Sequence, residues 1–160
     1  MLKTLKVQLN GLSLIPHNGQ MADPRNSFAK AIKEISGKRK KTDADHDAMA
    51  RLEFLGSLYT NGHELIVPGY LIEAALIAGA KKTKQGPVAK MAVFADGDGS
   101  LEFEGKPEVI SEPELTKLFE GGNHHITVGV KVQTARIMRT RPILRNWSTT
   151  VDLHYEDELA

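Results

Sequence analysis

The 160-residue chain has no cysteine. That excludes a disulfide framework, a thiolate metal site and a cysteine nucleophile, and it fits a reducing compartment. Aromatic residues make up 6% of the chain, with a single tryptophan, and no segment carries the aromatic signature of an RNA-recognition sheet. No apolar run is long enough for a signal peptide or a membrane span; the opening Met1-Leu2-Lys3-Thr4-Leu5-Lys6 alternates instead. The expectation is a cytoplasmic protein with no membrane partner. An excess of one charge is also missing. The 21 Lys and Arg against 20 Asp and Glu leave +1, which argues against a histone-like polycation. What is present, 41% hydrophobic and 26% charged residues over about one domain's length, is ordinary for a globular chain with its own core.

The near-zero total hides a segregated distribution. Residues 30–41 hold six bases (Lys30, Lys33, Lys38, Arg39, Lys40, Lys41) and one acid, whereas 42–73 hold six acids and one base. Lys81, Lys82, Lys84 and Lys90 then stand in an acid-free stretch, followed by eight acids against two bases over 92–120. Residues 121–151 carry Lys131, Arg136, Arg139, Arg141 and Arg145 without an acid, and the tail, 156–160, is acidic. Three basic blocks are thus available to form one patch if the fold assembles them.

Leu5, Val7 and Leu9 alternate with polar residues as in a half-buried strand, and the change of parity at Gly11 to Leu12 and Leu14 predicts a bulge and an edge. Pro16-His17-Asn18-Gly19 is a turn. Asp23 and Pro24 predict the start of a helix whose apolar face is Phe28, Ala31, Ile32 and Ile35, stopping at Gly37. A second helix is capped near Thr42 or Asp43, with Ala48, Leu52, Leu55 and Tyr59 as its buried stripe. A third, from Pro68 to about Ala80, is apolar on most sides and is expected to be the most buried. Lys81 to Pro87 reads as a loop, and Met91–Phe94 and Leu101–Phe103 as a hairpin around Asp96-Gly97-Asp98-Gly99. A short helix follows from Pro113 to Phe119. Alternating strands cover 126–133 and 147–155. Strands at both ends with helices between them predict one α+β domain over 1–160, a mainly antiparallel sheet covered by two or three helices.

Enzyme signatures fail on inspection. Gly79-Ala80-Lys81-Lys82-Thr83 lacks the glycine that a phosphate loop needs before its lysine and follows a helix, not a strand. The segment from Asp96 lacks the sixth-position glycine and twelfth-position acid of a calcium loop, having Leu101 and Pro107 there. His124 and His125 are adjacent, so in a strand they point to opposite faces and cannot chelate together. His46 with Asp43 or Asp47 reads as a solvated first helical turn. The expectation is a protein that is not an enzyme and uses no cofactor or metal.

The segment from Arg136 to Trp147 is more informative. It links two strands, and it is too long and too apolar for a minimal turn, which predicts an extended hairpin arm or an ordered loop, read as a protruding basic hairpin arm over 136–146. In extended backbone Arg139 and Arg141 project to one side with Arg145 in phase, a row about 7 Å apart. That spacing suits the phosphates of an extended nucleic acid strand, and Arg suits phosphate forks and base stacking. The same row also suits ion pairing with the acidic blocks. The interspersed Ile137, Met138, Ile143 and Leu144 either wedge between bases or pack on a neighbouring subunit. The candidate nucleic-acid-binding residues are therefore Lys38, Arg39, Lys40, Lys41, Lys82, Lys84, Lys131, Arg136, Arg139, Arg141, Arg145 and Trp147.

Leu14-Ile15-Pro16-His17-Asn18-Gly19 with Ala22-Asp23-Pro24, Arg39-Lys40-Lys41-Thr42-Asp43 through Ala50-Arg51-Leu52-Glu53-Phe54, Pro68-Gly69 with Ile72-Glu73-Ala74-Ala75-Leu76, and Arg139-Thr140-Arg141-Pro142 with Trp147-Ser148 resemble a group of conserved proteins of tailed bacteriophages and prophages. The opening Val7 to Gly19 is also similar to the start of RAMP-type backbone proteins of CRISPR effector complexes. Those have a ferredoxin-like, RNA-recognition-type core and a protruding hairpin, and they polymerise along a single nucleic acid strand. The block charges and the arginine row predict a protein that binds single-stranded DNA or RNA without sequence preference. The resemblances imply a phage protein in the bacterial host cytoplasm, with the Arg136 to Arg145 segment as the protruding element and subunits stacked along the strand as a homo-oligomer. The alternative expectation is a protein-interaction module, an inhibitor of a host defence complex or a small structural phage protein, with the acidic blocks as its working surface.

Overall fold

The two longest strands lie at the two ends of the sequence and pair with each other. The computed structural model describes residues 1–158; Leu159 and Ala160 of the acidic tail lie outside them. The first half runs β1 (Leu2–Leu14), a 3-10 turn (Gly19–Ala22), α1 (Ser27–Ser36), α2 (Asp43–Ser57), β2 (Ile66–Val67) and α3 (Gly69–Lys81). The second half runs α4 (Gly86–Ala92), β3 (Val93–Asp96), β4 (Gly99–Ser100), α5 (Glu112–Glu120), β5 (His125–Val132), β6 (Ala135–Pro142) and β7 (Leu144–Glu156). The chain is a single α+β domain with antiparallel pairing throughout. Its main sheet has three strands in the order β1-β7-β3, and β2-β4 and β5-β6 form separate two-stranded ladders.

The β1-β7 ladder keeps one register from Leu2 opposite Glu156 to Leu14 opposite Leu144. The predicted edge at β1 is therefore present, and the predicted bulge is not. The parity change holds at Leu14, which packs against the core, and fails at Leu12, which is 85% exposed; the change at Leu14 is matched on the partner strand. Val151 and Leu153 are buried in the inner half of β7, and Leu144, five residues before Thr149, is fully buried too. Asn146 lies between them with φ 48°, and this left-handed residue turns the strand over without a register slip. At the same level Trp147 lies across Gly11, where a Cβ would collide with the indole. The second edge of β7 is covered by β3 along 152–155 and by Glu102, which exchanges backbone bonds with Ser148.

The core lies between this sheet and α2. Phe54, Leu55, Leu58, Leu65, Ile72, Leu101, Phe103, Leu115, Leu144, Val151 and Leu153 form its centre. A fully buried side chain of this size contributes about 1.5–3 kcal/mol over the exposed state. The Thr42 hydroxyl accepts from the Asp45 N–H while the Asp45 carboxylate accepts from the Thr42 N–H, a reciprocal cap that starts α2 where the sequence predicts. Its buried residues are Glu53 to Ser57 at the C-terminal end, in place of a stripe along its length, because only that end enters the core.

Other elements depart from expectation for identifiable reasons. The cap of α1 is Asn26, whose side chain accepts from the Phe28 and Ala29 N–H groups, while Asp23 closes the preceding 3-10 turn and binds Arg25. Helix α3 is not the most buried: only Gly69 and Ile72 are buried, and Tyr70 and Leu76 are exposed, because it packs on α4 and β3 at the sheet margin. The 81–87 segment is only partly a loop, since α4 begins at Gly86 and takes in Met91. The Asp96–Gly99 turn does not close a hairpin. β3 pairs with β7 and β4 with β2, so the chain changes sheets at Gly97, φ 80°.

Candidate nucleic-acid interface

The basic arm is real, and its boundaries differ from the predicted ones. β5 and β6 form a regular hairpin closed by Gln133-Thr134, so the arm spans 125–142 and the arginine-bearing segment is its returning strand, not a loop over 136–146. Gln133 has φ 54°. That is a conformation turns usually give to glycine, and its absence from the sequence hid the turn. Toward the tip, Lys131 stands opposite Arg136, and both are exposed. One face of the hairpin carries Ile126, Val128, Val130 and Val132 with Ile137, Arg139 and Arg141; the other carries Thr127, Lys131, Arg136, Met138 and Thr140.

The root of the arm is fixed by one acid. Glu53, 5% exposed on α2, accepts from the Arg139 guanidinium at 2.5 Å and from the Thr140 N–H at 2.7 Å. Thr140 is opposite Thr127 in a pair whose β6 backbone groups point away from β5, so its N–H would otherwise be an unpaired edge donor. The Thr127 and Thr140 hydroxyls bond across the ladder at 2.8 Å. A buried carboxylate needs this density of donors to offset its desolvation.

Arg139 and Arg141 share a side of β6, as predicted, and line one recess of about 420 Å³ with Lys33 and Ser36 of α1, the His17–Gly19 turn and Glu53. Arg141 donates to the Thr140 carbonyl at 2.9 Å; among the described residues neither it nor Lys33 is in an ion pair. With Glu53 matched to Arg139, the recess keeps a formal charge of +2 from Lys33 and Arg141. Lys33, His17 and Asn18 were outside the sequence-based selection, because their approach to β6 depends on tertiary packing.

Arg145 does not continue the row. The chain passes from β6 into β7 at Ile143, whose N–H donates to the His124 carbonyl, and Arg145 donates to the Asn123 carbonyl in a different recess beside Glu104 and His124. Trp147 is not on the arm either. It packs against the core over Gly11, so its indole is partly buried structure and no free stacking platform.

The lysine-rich blocks separate into two groups. Helix α2 runs beside β6, with Glu53 at Arg139 and Thr140 and with His46 and Asp47 lining a recess with Met138. The N-terminal half of α2 thus runs past Met138, and Lys33, from the same basic block as Arg39, Lys40 and Lys41, lines the recess with Arg139 and Arg141. Lys38 is taken up by Asp45 at 2.5 Å, and this contact, with the Thr42 N–H, holds the Asp45 carboxyl down at about 2. Lys82 and Lys84 lie in the turn between α3 and α4, which pack on each other and on β3, the strand paired with 152–155 at the end of β7 away from the arm. The expectation of one patch from all three blocks is thus corrected: two of them converge on the arm, and the third does not, because its helices attach to a different strand.

Among the described residues no group of three or more His, Asp or Glu is placed to hold a metal ion, and no helix is long and apolar enough to cross a membrane. Comparison with protein-family models, with curated proteins and with solved structures gives no match.

Proposed function

We propose that the protein binds single-stranded nucleic acid, DNA or RNA, without sequence preference, through the recess at the root of the β5-β6 arm and the basic residues leading to its tip. The observation that carries this reading is the recess itself, in which Lys33, Arg139 and Arg141 converge on one side of β6 with one acid to offset them. Arg141 and Lys33 supply uncompensated charge for a phosphate; Arg136 and Lys131, on the other face of the hairpin near its tip, and the 39–41 loop add charge for neighbouring phosphates as the strand passes round the arm. Binding, and no chemical step, is the function assigned.

Oligomerisation along the strand belongs to the same proposal, as does the phage setting that the sequence resemblances imply. The arm leaves Val128 44% and Val132 48% exposed on the face that carries Arg139 and Arg141, and a following subunit on the strand would cover it. The test is a salt series with labelled oligo(dT) and oligo(U). The logarithm of affinity should fall linearly with the logarithm of salt, and light scattering should show larger assemblies on longer oligonucleotides. Absence of binding at low salt overturns the proposal.

A further inference from the structure

A second recess adjoins the basic one. It encloses about 530 Å³ and is lined by Tyr59, Thr60, Tyr70, Pro68 and Asp98; Asn18 and Gly19 line both recesses and form the ridge between them. This ridge is fixed from below. The Asn18 N–H donates to the Ser57 carbonyl at 3.1 Å, its side-chain amide donates to the Leu58 carbonyl at 3.2 Å, and the Tyr59 hydroxyl donates to the His17 carbonyl at 2.8 Å. Its crest is low. Gly19 has no side chain, and nothing lies within 4 Å of the place a Cβ would take.

The recesses differ in charge and in surface. The first holds two arginines and a lysine against one acid. The second has no base, and its only charged group is Asp98, whose carboxylate accepts from the Gly69 N–H at 2.9 Å. A phosphate is attracted to the first and repelled by the second. The second instead offers aromatic surface: Tyr70, at the start of α3, is 60% exposed, although solvent exposure of a large ring is otherwise disfavoured. Tyr59, by contrast, is committed through its hydroxyl to the ridge.

We infer that the two recesses together hold one nucleotide of a single strand, with its phosphate on Lys33 and Arg141 and its base, passed over Gly19, stacked on Tyr70. This rests on the nucleic-acid reading above and adds to it a requirement for an unpaired base, since a base in a duplex cannot leave its stack to cross the ridge without breaking its pair. Stacking on one ring is tolerant of base identity, so sequence independence follows from the same geometry.

The experiment uses the full chain and whichever of oligo(dT) and oligo(U) binds more tightly. Tyr70→Ala should weaken binding about tenfold and Tyr70→Phe should restore it, because the ring and not the hydroxyl does the stacking. On an abasic oligonucleotide of the same length, the unsubstituted protein should bind as weakly as Tyr70→Ala binds the normal strand, with no further loss on substitution. Thermal melting controls for folding, which an exposed ring should not disturb. If Arg141→Ala weakens binding while Tyr70→Ala leaves it unchanged, the base site is wrong and the basic recess stands. If the unsubstituted protein binds neither oligonucleotide, both proposals fall together.

Discussion

The root and the tip of the β5-β6 arm are built from the same two strands and the same residue types, and they are held in opposite ways. At the root, Thr140 is 2% exposed, its edge N–H is taken by Glu53, and Arg139 is tied to the same carboxylate. At the tip, Lys131 and Arg136 face each other across the ladder with both faces in solvent, and only the backbone bonds and the Gln133-Thr134 turn hold the strands. An arginine's role in this protein is thus decided by what lies beneath it. Arg139 is part of the fold, whereas Arg136 costs the fold nothing and is available to a polyanion. Arg141 is intermediate, positioned by the root and left without an acidic partner among the described residues.

The sharpest way to break this contrast is at Glu53. Glu53→Ala leaves the Thr140 N–H and the Arg139 guanidinium without their acceptor, and it should cost about 3 kcal/mol in urea unfolding. That is the low end for a broken buried pair, because the Arg139 side chain is 36% exposed and water can compensate part of it. Glu53→Gln retains an acceptor and should cost about half as much. Amide exchange should accelerate along β6 in both. A loss below about 0.5 kcal/mol for Glu53→Ala would show that the root is no better anchored than the tip.

A smaller effect is expected at the tip, and on a different observable. Lys131→Ala with Arg136→Ala should change stability by no more than about 0.5 kcal/mol, as exposed charges do. The pair should lower the slope of log affinity against log salt by about 1.4, the share of two phosphate contacts on a single strand. An unchanged slope would remove the tip from the interface.

Between these lies the loop that precedes α2, where acidity separates paired from free bases. The Asp45 carboxyl is held below its ordinary 3.8, at about 2, by Lys38 and by the Thr42 N–H. A group whose folded-state pKa is depressed contributes stability that is present above the ordinary value and is lost as pH falls through the depressed one. The start of α2 should therefore weaken between about pH 4 and pH 2, and Asp45→Asn should remove that part of the acid transition, read by circular dichroism. An acid transition identical in the variant would show that Asp45 does not hold Lys38.

Local chemistry made much of this legible beforehand. The alternation of β1, β5 and the inner half of β7, the Thr42 cap, and the parity change at Leu14 all depend on residues near one another in sequence, and each is present. Elements set by distant partners were hidden. Helix α3 has the composition of a core helix and lies at the margin because β7 has only one free edge there and β3 occupies it. The shared side of Arg139 and Arg141 was readable from the period of a strand, but the placement of Arg145 was not, since the chain changes strands between them. Lys33, Asn18 and Tyr70 reach the recesses only through packing, and no spacing in the sequence brings them together.

The smallest expected effect concerns the turn that closes the arm. Gln133 adopts φ 54°, which costs a residue with a side chain about 1 kcal/mol relative to glycine. Glycine also has more freedom to lose on folding, so Gln133→Gly should stabilise the arm by only about 0.5 kcal/mol or less. The root is held by Glu53 and the core, so this gain should appear as slower amide exchange confined to Gly129–Met138, with the midpoint of global unfolding nearly unmoved. Slowed exchange that extended through Thr140 would instead mean that root and tip open as one unit, and the division between an anchored arginine and a free one would have to be redrawn along the whole strand.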